Sequence, residues 1–286
     1  MPLPTYAILA LVSAVCSASA TVLIRHGLRD SDAYTGFWIN VVVGVIGLWS
    51  AVFLIVPDAT FDLRAIPFFV LSGLLGTVVG RLARFVAIDK VGAPVAASIN
   101  NLNPFISTGL AILLLGEQIT LPILVGTAVI VFGTVLLSLS GKVVGFKLRH
   151  LVYPFLAATC FGVVAIIRKL GLSQTGPLVG AAINTTTAMI AFTAFLLVSG
   201  QRQAMRYRGP GLWFFIAAGA AENAGVCLSI VALSLGDVSI VAPLSGTAPL
   251  FVLLLTVAFL QGVERLTWRI VVGSTLIVLG VVLLTA

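Results

Sequence analysis

Charge is scarce in this sequence. Of its 286 residues only 9% are Asp, Glu, Lys or Arg, against about 25% in soluble globular domains. That shortage excludes an ordinary soluble fold. Histidine is scarcer still: His26 and His150, both near the ends of apolar runs, are the only two. No His/Cys/Asp cluster has metal-ligand spacing, so a metal centre is not expected. No Gly-x4-Gly-Lys-Ser/Thr loop occurs, which argues against ATP-driven work by this chain; no cofactor and no enzymatic activity are expected. Cys16, Cys160 and Cys227 all fall inside apolar runs, which excludes disulfides between loops. Long polar stretches are missing too, leaving no room for a soluble domain.

What remains is hydrocarbon. Sixty per cent of the residues are hydrophobic, and they fall in runs near the ~20 residues that cross a bilayer. Ten spans are predicted: Tyr6–Ile24, Tyr34–Val56, Ala65–Ile88, Pro94–Leu115, Leu121–Leu139, Leu151–Ile167, Leu178–Val198, Leu212–Leu235, Val238–Leu260 and Ile270–Thr285. Membrane β-strands would alternate polar and apolar residues. Runs such as Val41-Val42-Val43-Gly44-Val45-Ile46 are apolar on all sides, which means helices. Small residues along one face, as in Gly73, Gly76 and Gly80, suit close helix packing in lipid. Ala18-Ser19-Ala20 resembles a signal-peptide cleavage site, but no basic segment precedes it and the apolar run continues through Ile24. An uncleaved first span is expected.

The net charge of +7 does not point to nucleic acid, because the basic residues sit in short loops at span ends, where they set orientation. The loops after the odd-numbered spans hold Arg25, Arg29, Lys90, Lys142, Lys147, Arg149, Arg202, Arg206, Arg208, Arg265 and Arg269; the other side holds Arg64, Arg168 and Lys169. This asymmetry places both termini outside the cytoplasm of a plasma membrane, the inner membrane if the cell is bacterial. Trp38, Trp213 and Trp268 at span starts fit an aromatic belt.

The chain also states its pattern twice. Asn40 and Asn184 lie 144 positions apart, Pro104 and Pro249 145 apart, and Glu117…Gly126…Gly133 and Glu264…Gly273…Gly280 147 apart. Residues 1–142 and 147–286 thus form two five-helix repeats of one structural unit. An odd number of spans per copy inverts the second relative to the first. Inverted repeats supply outward-open and inward-open states from one fold, with the solute site where the repeats meet. The expected fold is therefore an all-α integral membrane protein, ten transmembrane helices in two inverted repeats around a central cavity.

Spans four and nine carry the second pointer: Asn100, Asn101, Asn103 and Pro104 in one, Pro243, Ser245 and Pro249 in the other. Each proline is expected to kink its helix, and matched interruptions mark a binding site. The string Leu115-Gly116-Glu117-Gln118-Ile119-Thr120 with Gly126 and Gly133, preceded by Gly92-Ala93 and Pro104, is similar to the drug/metabolite transporter superfamily, specifically its EamA-type members. Pro249, Glu264-Arg265-Leu266-Thr267, Gly273 and Gly280 repeat it. The resemblance covers essentially the whole chain. It implies ten helices around a cavity and secondary transport, commonly export, of metabolites, amino acids or drugs. It also implies cytoplasmic termini, opposite to the charge asymmetry.

Within the ten spans the charged residues are Arg81, Arg84 and Glu222. A charge at a helix centre costs about 2.5–3.5 kcal/mol on the insertion scale, so each needs a purpose. At spacing 145 the mate of Glu222 is Thr77, one turn before Arg81; Thr77, Arg81 and Arg84 share one helix face. Glu222, beside Asn223, is expected to titrate during transport or to hold a cationic group of the solute, with Arg81 neutralising it or an anionic group. A static pair locking two helices is the alternative, and Arg84 has the option of reaching the lipid headgroups. Asn40 and Asn184 either line the cavity or bond between helices. Glu117 and Glu264 are expected to be structural, with Thr120 and Thr267 as N-caps and with Arg25 and Lys169 as interfacial anchors. These readings converge on a secondary transporter that exports a small polar metabolite such as an amino acid, driven by protons or a counter-solute, in which a monomer suffices. A carrier or flippase for an anionic or lipid-linked solute, with a cavity open sideways to lipid, is one alternative. A channel or non-transporting membrane protein is the other.

Overall fold

The computed structural model describes residues 3–56, 62–91, 96, 99–100, 102–118, 120–138, 147–259 and 268–285. Asn101, Lys142 and residues 264–267, with the expectations attached to them, lie outside that set. The regular structure of the described residues is helical, with no strand among them. Six helices of 22 to 26 residues are long and apolar enough to cross a membrane, and shorter apolar helices accompany them.

Helix α1 is Thr5–Gly27, α2 is Ala33–Ile55, and α3 is Ile66–Ser72, continued by a π-helical stretch Gly73–Arg81 into α4, Leu82–Val91. The rod from Ile66 to Val91 thus runs 26 residues without a break. After α5, Asn103–Leu110, and a second π stretch, Ala111–Leu115, comes α6, Leu121–Ser138. The later helices are α7 (Val152–Gly171), α8 (Pro177–Val198), α9 (Leu212–Leu235), α10 (Val238–Ser245), α11 (Ala248–Phe259) and α12 (Trp268–Thr285).

The ends follow local chemistry. Asp32 caps α2, its carboxylate accepting from the Thr35 backbone N–H at 2.9 Å. Pro177 opens α8, where its missing N–H is no loss. Gly116, at φ 67°, closes the π stretch in the left-handed region that glycine tolerates. Inside α8, Thr185, Thr186, Thr187 and Thr193 each donate to the carbonyl four residues back, so no hydroxyl there is left bare.

Small residues set how the helices approach. A Cβ on Gly126 would come 3.1 Å from the Gly280 carbonyl oxygen, and one on Gly133 would come 2.8 Å from that of Gly273. The first glycine of α6 meets the second of α12 and the reverse, so α6 and α12 run antiparallel. The pair α2 and α8 does the same: Tyr34 and Phe37 pack against Phe195 and Phe192, the second pair edge to face, while Leu48 and Val52 share a cluster with Val179, Ala181 and Ala182. Phe215 of α9 lies against Gly27 and Gly36, and Phe69 of α3 against Gly171 and Gly180. Around this interior the outer faces carry exposed Phe, Leu, Ile and Val, such as Phe53, Leu113 and Phe132, as lipid contact requires.

Glu117 has a structural role, though not on α6. Its two carboxylate oxygens accept from the first backbone N–H groups of α10, those of Val238 (2.9 Å) and Ser239 (3.0 Å). A negative charge there satisfies orphan donors and complements the helix dipole. Glu117→Ala is expected to cost about 1–2 kcal/mol, the scale of a lost cap, read as a lower thermal midpoint that Glu117→Gln restores in part.

Candidate functional site

The rod from Ile66 to Val91 carries the polar face: Ser72, Thr77, Arg81 and Arg84. π-winding holds more residues per turn than an α-helix and is often found at functional sites. Over Gly73–Arg81 it places residues four to five apart on one line. Glycine then lets the mates of this region close up. A Cβ on Gly73 would fall 2.5 Å from the Asn184 backbone oxygen, and one on Gly219 would fall 3.1 Å from the Asn40 Cα. These contacts, with Phe69 and Phe215 in equivalent seats, set the spacing between α3 and α9 at 146. The expected pairing of Thr77 with Glu222 at 145 is therefore corrected: Thr77 matches Asn223, and Glu222 matches Gly76.

One polar group gathers on α9. The Arg81 Nη1 donates to Asn40 Oδ1 at 2.8 Å and to Asn223 Oδ1 at 3.4 Å. Asn223 Nδ2 donates to the Asn40 carbonyl at 3.0 Å and to that of Gly219 at 2.7 Å. Arg84 Nη1 meets Glu222 Oε1 at 2.8 Å, and its Nη2 donates to Thr21 Oγ1 of α1. Arg81 Nε lies 3.9 Å from the same Glu222 oxygen. The short partner of Glu222 is thus Arg84, whose side chain is 13% exposed and turned inward rather than to the headgroups. Among the described residues the buried Glu222 Oε2 and Asn40 Nδ2 have no hydrogen-bond partner.

A second group forms around Asn184. Its Oδ1 accepts from Ser72 Oγ at 2.6 Å and from Arg168 Nη2 at 3.4 Å, and its Nδ2 donates to Thr77 Oγ1 at 2.9 Å. Arg168 Nε donates to Ser72 Oγ at 2.9 Å. Counted from sequence as a residue beyond the end of span six, Arg168 is in fact helical and faces the interior. The signal was there: it stands one position past the apolar run, next to Lys169. Lys169, expected as an interfacial anchor, donates from Nζ to the carbonyls of Leu233 (2.9 Å) and Gly236 (2.7 Å). It caps the C-terminus of α9, where a cation is favoured by the dipole. Arg25, its counterpart, is exposed.

The interrupted spans form a third set, which no described hydrogen bond joins to the arginines. Pro104 does not bend a continuous helix. It sits in the first turn of α5, where proline is tolerated, and the break lies at Leu102. The partner break falls at Gly246 and Thr247, between α10 and α11, while Pro243 lies inside α10 and Pro249 is the second residue of α11. The two breaks touch, since a Cβ on Gly246 would be 3.1 Å from the Pro104 ring. Asn103 Nδ2 donates to the Asn100 carbonyl at 3.0 Å. The buried Asn100 Oδ1 and Ser245 Oγ have no partner among the described residues. Among the described residues no group of His, Cys, Asp and Glu has the makings of a metal site.

An archaeal protein named an uncharacterized transporter, from Archaeoglobus fulgidus, is 23% identical over 97% of this chain and 96% of its own length. An uncharacterized protein of Methanocaldococcus jannaschii is 28% identical over 35% of this chain and 74% of its own. A solved crystal structure, 17% identical, superposes with a TM-score of 0.76 over 98% of this chain and 96% of that one, a likeness of fold alone. The model of the EamA-like transporter family matches twice, at residues 4–139 and 149–286. The chain therefore belongs to the EamA-like transporter family of the drug/metabolite transporter superfamily and is an integral membrane transporter.

Proposed function

We propose that the chain is a secondary transporter of ten spans in two inverted five-helix repeats, residues 1–142 and 147–286, which exports a small polar metabolite by alternating access. One observation carries this reading: the buried polar contacts cross between the halves. Asn40 meets Asn223, Arg84 meets Glu222, and Arg168 and Asn184 meet Ser72 and Thr77. Contacts of that kind break and re-form as two bodies rock, provided the two states differ by only a few kcal/mol. The antiparallel pairings of α2 with α8 and of α6 with α12 support the inversion, and the charge asymmetry supports termini outside the cytoplasm. Protons or a counter-solute would supply the energy.

Counterflow tests the carrier. In proteoliposomes loaded with an unlabelled amino-acid mixture, uptake of labelled solute is expected to rise severalfold over empty vesicles; a pore or an inert scaffold gives no acceleration. Labelling of a cysteine placed at Lys147, accessible from the cytoplasmic side only, checks the orientation.

A further inference from the structure

The charges of the two asparagine groups do not balance. Arg81, Arg84 and Arg168 have one carboxylate between them, Glu222, the sole acid paired with any of them among the described residues. That carboxylate is committed at 2.8 Å to Arg84. Arg81 is otherwise held by neutral carbonyl oxygens of Asn40 and Asn223, and Arg168 by the neutral oxygens of Ser72 and Asn184. Arg168 and Thr77 meet the same Asn184 amide, and Thr77 lies one turn before Arg81 on the rod. Arginine does not shed its proton in proteins. Two guanidinium charges hydrogen-bonded only to neutral groups in a membrane interior are costly unless an anion joins them.

We infer that the transported solute carries a carboxylate or phosphate group, which Arg81 and Arg168 hold from the two halves while Glu222 remains the fixed counter-charge of Arg84. The inference rests on the transporter reading above and names its substrate class. The fork of a guanidinium matches the paired oxygens of both groups. Asn40 and Asn184 aim the two forks, each accepting from the arginine of its own group. Ser72, which donates to Asn184 and accepts from Arg168, keeps that second fork from swinging away.

The test uses the full-length protein in detergent, with thermal unfolding read against succinate, L-glutamate and inorganic phosphate. Glycinamide, putrescine and sodium chloride of equal ionic strength, none carrying a carboxylate or phosphate, serve as controls. The anions are expected to raise the midpoint saturably, and the controls are not. Arg168→Gln is expected to weaken the apparent anion affinity about tenfold, with Arg168→Lys between it and the wild type, since charge is kept and the fork lost. Glu222→Gln, which removes an internal competitor, is expected to strengthen it; a merely architectural cluster would lose affinity in both. Should Arg168→Gln fail to fold, protection of Arg81 and Arg168 from phenylglyoxal in the wild-type protein decides the same question. Dihexanoyl phosphatidic acid separates the sources: protection by it alone assigns a lipid headgroup, and protection by succinate or phosphate assigns a free solute, both within the anion class. Absence of saturable protection by every anion overturns the inference, and counterflow of glycinamide or putrescine would then leave the carrier reading standing. Anion protection without any counterflow does the reverse.

Discussion

Replacing Glu222 by glutamine is expected to destabilise the protein by about 3–5 kcal/mol, the scale for removing one partner of a buried ion pair, and to abolish exchange. Glu222 is only 6% exposed, and its carboxylate faces Arg84 at 2.8 Å and Arg81 at 3.9 Å. Without it three guanidinium groups share a low-dielectric region with no acid paired to them among the described residues. The loss is one of balance rather than volume, because glutamine fills the same space. Removing Arg84 as well should therefore restore much of the stability. A double-mutant cycle on Glu222→Gln and Arg84→Gln is expected to show coupling of about 1–3 kcal/mol, read from thermal midpoints. Additive losses would mean that the two side chains touch without depending on one another.

Gly73→Ala is expected to be the most damaging of the glycine substitutions, by about 3 kcal/mol, at the upper end of overpacking costs. The new methyl group would fall 2.5 Å from the backbone oxygen of Asn184 and 3.0 Å from the Thr187 Cβ. A carbonyl in a helix cannot rotate aside, so α8 has to back away from the rod. The bonds of Asn184 to Ser72 and Thr77 go with it. Gly44→Ala runs into the Asn223 amide, the end of a movable side chain. It should spare more stability while disturbing the grip of Asn223 on Asn40 and Arg81. Gly47→Ala and Gly109→Ala meet nothing within 4 Å and are expected to be neutral or stabilising by about 0.5–1 kcal/mol through helix propensity. Equal sensitivity at all four positions would sink this ranking.

Much of the site is legible in the sequence because a polar residue in hydrocarbon is conspicuous. Asn40, Asn184, Arg81, Arg84, Glu222 and Asn223 stand out in apolar runs, and the structure brings all six into the two arginine groups. Arg168 escapes because a charge at the edge of a run reads as an interfacial residue, and only the fold shows it turned inward. The option of a headgroup contact for Arg84 has the same origin. The register slip at Glu222 has another cause: the spacing of 145 taken from Pro104 and Pro249 misses one residue, whereas the aromatic pairs Phe68-Phe69 and Phe214-Phe215 carry 146 directly. π-winding leaves no periodic trace over nine residues. The prolines mark the interrupted spans correctly, but whether a proline bends a helix or starts one depends on the residues before it.

Ser72, Thr77, Arg81 and Arg84 are fixed to one uninterrupted rod, and their partners are shared between opposite ends of the chain. They cannot be repositioned one at a time. Under the proposed alternating access, a roll of that rod which tightened its hold on Asn184 would slacken its hold on Asn40, as a seesaw lifts one rider by lowering the other. Mutual exclusion of the two entrances would then need no separate latch at either mouth.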